Sequence, residues 1–172
     1  VARGLTSNQK FLVFPHCPKA MNIDFASLPP KTKKLVEKLA ASRFTGQFYL
    51  AGGTAIALFL SHRRSDDLDF FSERGFRNTT VVAHLKQLGK FQSFKSAKDT
   101  ILGKLDDIKI SFFSLPYRLL KPPIKHKNLL VARPNDLAAM KILAISDRGT
   151  KRDFIDLYFL CQRVGSLDGF LR

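Results

Sequence analysis

Residues 50–72 read LAGGTAIALFLSHRRSDDLDFFS, and this stretch decides the fold. Its first half is apolar around a glycine pair, Gly52 and Gly53. Its second half crowds His62, Arg63, Arg64, Asp66, Asp67 and Asp69 ahead of Phe70 and Phe71. QFYLAGG suits a short strand, TAIALFLSH a helix with Thr54 near its start, and DDLDFFS a second strand. The helix is apolar nearly all round, which implies burial. Side chains two apart on a strand share a face, so Asp67 and Asp69 point together, Leu68 and Phe70 enter the core, and Asp66 turns away. Carboxylates are seldom carried into an apolar segment unless a cation or a hydrogen-bond network compensates them. Two hard oxygen donors, completed by phosphate oxygens, suit Mg²⁺ or Mn²⁺. Upstream, the glycines allow close backbone approach at a helix N-terminus, where free N–H groups and the helix dipole favour a phosphate. A phosphate cradle and a carboxylate pair therefore fall on neighbouring elements.

Working outward, LPPKTKKLVEKLAASRF reads as a helix entered through its prolines, with Leu35 and Leu39 on one stripe. TTVVAHLKQLG is a further helix closed by Gly89. KFQSFKS, TILGKL and DIKISFFSL alternate and are separated by turn residues, as in an antiparallel meander. LLKPPIKHKN is a basic connector, and LLVA a last short strand. From Pro134 the pattern is helical to the end, in RPNDLAAMKILAISDRG, TKRDFIDLYFLCQRVG and SLDGFLR. The expected organisation is a core over 21–133 with a helical tail over 134–172 packed on it. Residues 1–20 are expected to be added sequence or the product of an upstream start. The class is α+β.

The 172 residues carry 29 Lys and Arg against 14 Asp and Glu, a formal charge of +15, which favours an anionic partner. Basic residues gather in RLLKPPIKHKN and SFKSAK, the kind of patch that attracts a nucleic-acid backbone regardless of base sequence. No apolar run approaches the ~18 residues of a membrane span, and FLVF is too short for a signal peptide. Two cysteines, Cys17 and Cys161, make neither a disulfide framework nor a metal knuckle, and are expected in a reducing cytoplasm.

The run Gly52, Gly53, Thr54, Ala55, Ala57, Leu58, then His62, Arg63, Ser65, Asp67, Asp69, resembles the AbiEii/AbiGii toxin branch of the polymerase β-type nucleotidyltransferases. There the pattern is close to G-G-T-A-x-A-L followed by H-R-x-S-x-D-x-D. The resemblance implies a mixed twisted sheet with flanking helices and a helical tail. It makes Asp67 and Asp69 the holders of a metal that bridges the nucleotide's phosphates, with Gly52, Gly53 and Thr54 cradling the triphosphate. Ser65 either donates to a phosphate or ends the turn. Arg63 either joins the nucleotide site or, like His62, steadies a helix C-terminus.

The superfamily commonly places a third carboxylate on a later strand, and the matching position here is Ser111, a poor ligand and a poor base. Asp107 is the nearest substitute on that strand's face, and the helical tail is the other source of a base. There Leu137, Met140, Lys141, Ala144 and Arg148 share a face, and a lysine in an apolar stripe must reach water or an anion. The resemblance places Lys141 against nucleotide phosphate and likens GTKRDFIDLYFL to a K-D-x-x-D-L helix. Thr150 and Asp153 form a capping-box pattern, compatible with a catalytic role for Asp153. Asp156 is expected to bond Arg148 or Arg152.

These readings lead to a cytoplasmic, metal-dependent, toxin-like nucleotidyltransferase. Its expected catalytic residues are Asp67, Asp69, Lys141 and Asp153. It would pass a nucleoside monophosphate from an NTP to an RNA hydroxyl, such as a tRNA 3′ end, or to a protein hydroxyl, and pair with an antitoxin. The rivals are a catalytically silent binder, favoured by Ser111, and an antibiotic-type small-molecule transferase, disfavoured by the basic charge.

Overall fold

The computed structural model describes residues 22–171; the expected upstream segment and Cys17 lie outside them. Two prolines open α1 (Pro30–Ala41), where proline's fixed φ suits the first turn and its missing N–H would have had no intrahelical partner. Thr32, Leu35, Val36, Leu39 and Ala40 make its buried stripe at helical spacing. A 3-10 turn (Arg43–Gln47) then carries Phe44 inward. β1 (Tyr49–Ala51) is buried throughout, and Gly52 turns the chain at φ +66 directly into α2 (Gly52–Leu60). The helix therefore starts at the glycine pair, not at Thr54, because the left-handed turn lets Ala51 serve as the N-cap. α2 buries Thr54, Ala55, Ile56, Ala57, Leu58 and Leu60, as its composition requires.

The remaining elements are β2 (Leu68–Ser72), α3 (Asn78–Leu88), β3 (Phe91–Ala97), β4 (Thr100–Leu105), β5 (Ile108–Ser114), β6 (Ile124–His126) and β7 (Leu129–Val131). Three helices follow, α4 (Pro134–Asp147), α5 (Lys151–Arg163) and α6 (Leu167–Leu171). The seven strands form one mixed sheet in the order β3-β4-β5-β2-β1-β7-β6. β3, β4 and β5 are the expected antiparallel meander. The basic connector is corrected in part: Ile124–His126 pairs antiparallel with β7 as an edge strand. Pro122 and Pro123 stop just short of it, and its exposed Lys125 and His126 suit an edge.

β2 lies antiparallel to β1 and parallel to β5, setting Ala51 opposite Asp69 and Asp69 beside Ser111. Strand alternation then sorts the two faces. Leu68, Phe70, Ile110 and Phe112 enter the core, where Phe112 stacks on Phe70 at 5.1 Å and meets Phe48 edge-on at 4.9 Å. Asp69, Phe71, Ser111 and Phe113 turn to the opposite face, under α4 and α5. Clustered Phe rings explain how a chain without tryptophan fills its core.

Phe70 is fully buried between β1 and β5. Phe70→Ala is expected to lower the unfolding free energy by roughly 3–5 kcal/mol, because the vacated space cannot collapse between paired strands. Denaturant unfolding followed by far-UV circular dichroism measures this, and a loss below ~1 kcal/mol would contradict the assigned core.

Candidate active site

A cleft of about 730 Å³ opens between the polar face of the sheet and helices α4 and α5. Its floor carries Asp67 and Asp69, which face it from the same side of β2 and its lead-in, with Ser111 alongside. Asp66 is exposed and takes no part in the lining. Burial pushes the Asp69 carboxyl up, and the charge of Asp67 adds to this. A hydrogen bond from Ser111 and the charges of Lys141 and Arg148 oppose it.

The glycine pair borders this floor for steric reasons that can be named. A Cβ on Gly52 would stand 2.6 Å from Asp69 Oδ2, at a φ that side chains rarely adopt. A Cβ on Gly53 would meet Arg63 Nη2 at 2.0 Å. Thr54 is buried, and its hydroxyl is engaged: it lies 2.8 Å from Ser65 Oγ and donates to the Asp67 carbonyl. Any contact of Thr54 with a phosphate is thereby left to its backbone. Ser65 lines the cleft, held by that same hydroxyl.

The opposite wall is an ion network. Lys141, 7% exposed, donates to Asp153 Oδ1 and approaches Asp156 Oδ2, both at 2.8 Å. Asp156 also binds Arg63 through Nε at 2.6 Å and Nη2 at 2.9 Å, and lies 2.7 Å from His62 Nε2. The expectation that Asp156 bonds Arg148 or Arg152 is corrected, since its partners come from the α2–β2 link and α4. His62 is likewise no simple helix-end charge: its ring is buried against Phe159, tilted at a centroid distance of 5.2 Å. Asp153 accepts from Arg148 Nε at 3.1 Å and from Thr150 Oγ1 at 2.6 Å, completing the capping box at the start of α5.

Burial alone would raise Asp153 and Asp156. Hydrogen bonds outweigh it, from Arg148, Lys141 and Thr150 for the first and from Arg63, His62 and Lys141 for the second. Both carboxyls are held well below the usual range. Asp107 sits in the β4–β5 turn at φ 68, exposed and away from the cleft, so it does not replace the missing third carboxylate.

Sequence reasoning brought Asp67, Asp69, Ser111, Lys141 and Asp153 to one cleft, and the whole predicted α4 face from Leu137 to Arg148 lines it. It missed Phe71 and Phe113 as lining residues, although alternation with Asp69 and Ser111 could have found them. Among the described residues no cluster of three or more His, Cys, Asp or Glu is placed to hold a metal. Two neighbouring carboxylates of hard oxygen, one of them half-buried and disfavoured as an anion, nevertheless fit a small divalent cation. Mg²⁺ is commonly bound by one or two carboxylates, with phosphate oxygens and water completing its shell.

The sheet order and this cleft define a nucleotidyltransferase fold. Over 77% of its length the chain is similar to the Megavirus polyadenylate synthase, with a TM-score of 0.53 and 15% identity, spanning 31% of that enzyme. It is also similar to the antibiotic-resistance factor ANT(2″)-Ia, with a TM-score of 0.55 and 16% identity over 74% of this chain and 81% of that one. The family model "Nucleotidyl transferase AbiEii toxin, Type IV TA system" matches residues 33–171, and the chain belongs to this family. The uncharacterized protein aq_aa25 of Aquifex aeolicus (strain VF5) is 39% identical over 142 residues, 80% of this chain and 69% of that protein.

Asp156 tests the ion network. Asp156→Asn leaves Lys141 and Arg63 under-compensated in a buried site and is expected to destabilise the fold by roughly 3–5 kcal/mol at neutral pH. A carboxyl depressed in the folded state contributes its stability above its unfolded value, about 3.9, and loses it as pH falls below that. The gap between wild type and variant should therefore be widest above about pH 4 and narrow on acidification. Urea unfolding across that range measures it, and a pH-independent gap would contradict the assigned charges.

Proposed function

We propose that this chain is a metal-dependent, toxin-like nucleotidyltransferase acting in the cytoplasm. It would transfer a nucleoside monophosphate from an NTP to a hydroxyl of RNA, with a tRNA 3′ end as the leading acceptor, or of a protein. The observation that carries this reading is the facing of Asp67 and Asp69 against the Lys141–Arg148 wall in one cleft, beside the α2 N-terminus. Asp67 and Asp69 would hold the divalent ion, which when bound neutralises the phosphate charge that the two carboxylates would otherwise repel.

The backbone at Gly53 and Thr54 would receive phosphate oxygens at the start of α2. Arg148 and the α5 entry residues Lys151 and Arg152 line the same cleft and supply positive charge to the leaving group. In the step itself the acceptor oxygen bonds to the α-phosphorus, the bond to the bridging oxygen breaks, and pyrophosphate departs with that electron pair. Of the three carboxylates lining the cleft, Asp153 has both oxygens engaged by Lys141, Arg148 and Thr150. We therefore give Asp153 and Lys141 the role of positioning the wall, and the acceptor's proton leaves to solvent water.

The charge of +15 favours a polyanionic acceptor over a cationic drug. Toxin membership is consistent with a neutralising antitoxin as partner. Among the described residues no helix is long and apolar enough to cross a membrane. Ser111 in place of a third carboxylate favours a second reading, a silent member that binds nucleic acid without modifying it.

Incubation with α-phosphate-labelled NTPs, total RNA and Mg²⁺ or Mn²⁺ tests the first reading. Label should move into RNA, chelation should stop it, and Asp69→Asn should cost roughly 10²-fold or more, in line with removal of one preorganised stabilising group. Ser111→Ala should do far less. Binding of RNA with no transfer of any of the four nucleotides would instead select the silent binder.

A further inference from the structure

A second, smaller pocket of about 320 Å³ lies on the other flank of α4. Its outer wall is the chain following β5, pinned at two points. Glu73 Oε1 accepts the Leu119 N–H at 3.0 Å, and Asp136 Oδ1 accepts the Leu120 N–H at 2.6 Å. Apart from the exposed Arg118 at its rim, the lining is otherwise aromatic and aliphatic, with Tyr117, Leu120 and Leu143 among its walls. Two buried polar atoms break that pattern. Asp136 Oδ2 and the Tyr49 hydroxyl have no hydrogen-bond partner among the described residues, and each belongs to a residue only 4% exposed. A buried polar group left unpaired is costly, so a pocket lined by two of them suits something that pairs with them.

The two atoms specify that partner. A carboxylate oxygen only accepts, so it needs an N–H or O–H donor. Burial, then the charges of Glu73 and Asp136, push the Tyr49 phenol up to about 12, so its hydroxyl keeps its proton and can donate. A donor and an acceptor lining one largely apolar pocket suit the hydrogen-bonding edge of a flat heterocycle. The pocket also adjoins the active-site cleft. Met140 lines both, and Tyr49 stacks at 6.0 Å on Phe71, which belongs to the cleft.

We propose that the Tyr49–Asp136 pocket is a nucleobase subsite, in which Asp136 Oδ2 accepts from a base N–H and the Tyr49 hydroxyl pairs with the adjacent ring or carbonyl position. The inference rests on the transferase reading, since that reading places nucleotide in the neighbouring cleft. The base belongs either to the NTP or to the 3′ end of an acceptor RNA.

The three tyrosines provide the assay, because Tyr49 and Tyr117 line the pocket while Tyr158 is exposed on α5. Ring resonances of carbon-13-labelled tyrosine are followed during titration with nucleosides that carry no phosphate. Adenosine, cytidine and guanosine should shift Tyr49 and Tyr117 saturably and leave Tyr158 in place. Purine riboside, whose base edge has no N–H, should bind at least tenfold more weakly than adenosine. Asp136→Asn keeps the size and an acceptor for the Leu120 N–H but turns an amide donor into the pocket, so it should reverse that preference. Backbone amide spectra confirm that the variant is folded.

Competition by NTPs or by a short RNA with a free 3′ hydroxyl then identifies the source of the base. No response of Tyr49 and Tyr117 at millimolar nucleoside overturns the proposal. So does equal binding of purine riboside, or a response that neither NTP nor RNA displaces. The titration is repeated with Asp69→Asn, which the transferase reading expects to be inactive yet able to bind nucleosides. Nucleoside binding by a wild-type protein that transfers nothing would keep the pocket and reject the transferase; transfer by a wild-type protein whose tyrosines stay silent would do the reverse.

Discussion

The cleft depends on one buried carboxylate. Asp156 has no exposed side-chain surface, and around it meet His62 and Arg63 from the α2–β2 link and Lys141 from α4. Isolated, a charge there would be costly, and so would the cations without it. Together they satisfy one another in a single arrangement that fixes the α2–β2 link and α4 relative to α5. A hydrophobic contact of equal strength tolerates sliding; a fork of hydrogen bonds from Arg63 to both carboxylate oxygens does not. Gly53 belongs to the same constraint, because the guanidinium lies where its Cβ would be.

That network leaves the cleft electrically two-sided. Arg63, Lys141 and Arg148 outnumber Asp153 and Asp156, and the exposed Lys151 and Arg152 add to the basic side. Across from them the floor carries Asp67 and Asp69. A polyanion drawn by the overall basic charge would meet repulsion at this floor, so the charge pattern discriminates between general attraction and seating. Attraction acts over about a Debye length. Seating requires the floor to be neutralised locally.

Much of this was legible in the chain because it is local. Alternation put Asp69 and Phe70 on opposite faces, and helical spacing collected Leu137, Met140, Lys141, Ala144 and Arg148 on one. The family pattern covered the same residues. What stayed hidden is set by distance along the chain. Arg63 and Asp156 are 93 positions apart, and no periodicity links them. Asp156 was recognisable as an acid on an apolar helix face, yet its nearest basic residues in sequence were not its partners. The start of α2 was misplaced because glycine signals a turn without saying whether the helix begins within it. β6 was hidden by the prolines just before it and the lysines in and around it, which mark a connector as readily as an edge strand. Tyr49 and Asp136 each look unremarkable alone, and only the fold sets them in one pocket.

Ser111 acquires a physical meaning from this geometry. It stands in register with Asp69 and donates a hydrogen bond to it. A carboxylate in that place would be a third negative group on a floor where burial and Asp67 already disfavour the ionised form of Asp69. Each added like charge raises the others' carboxyls further, and only added positive charge offsets it. A serine hydroxyl acts in the opposite direction, favouring ionised Asp69 without contributing charge. Under the proposed function, a serine here would keep Asp69 available as an anionic ligand while giving up a side-chain base. A loosely bonded phosphoryl-transfer transition state demands less of the base than of the groups that position and neutralise phosphate. On that balance, under the proposed function, Ser111 would weaken proton removal more than nucleotide seating.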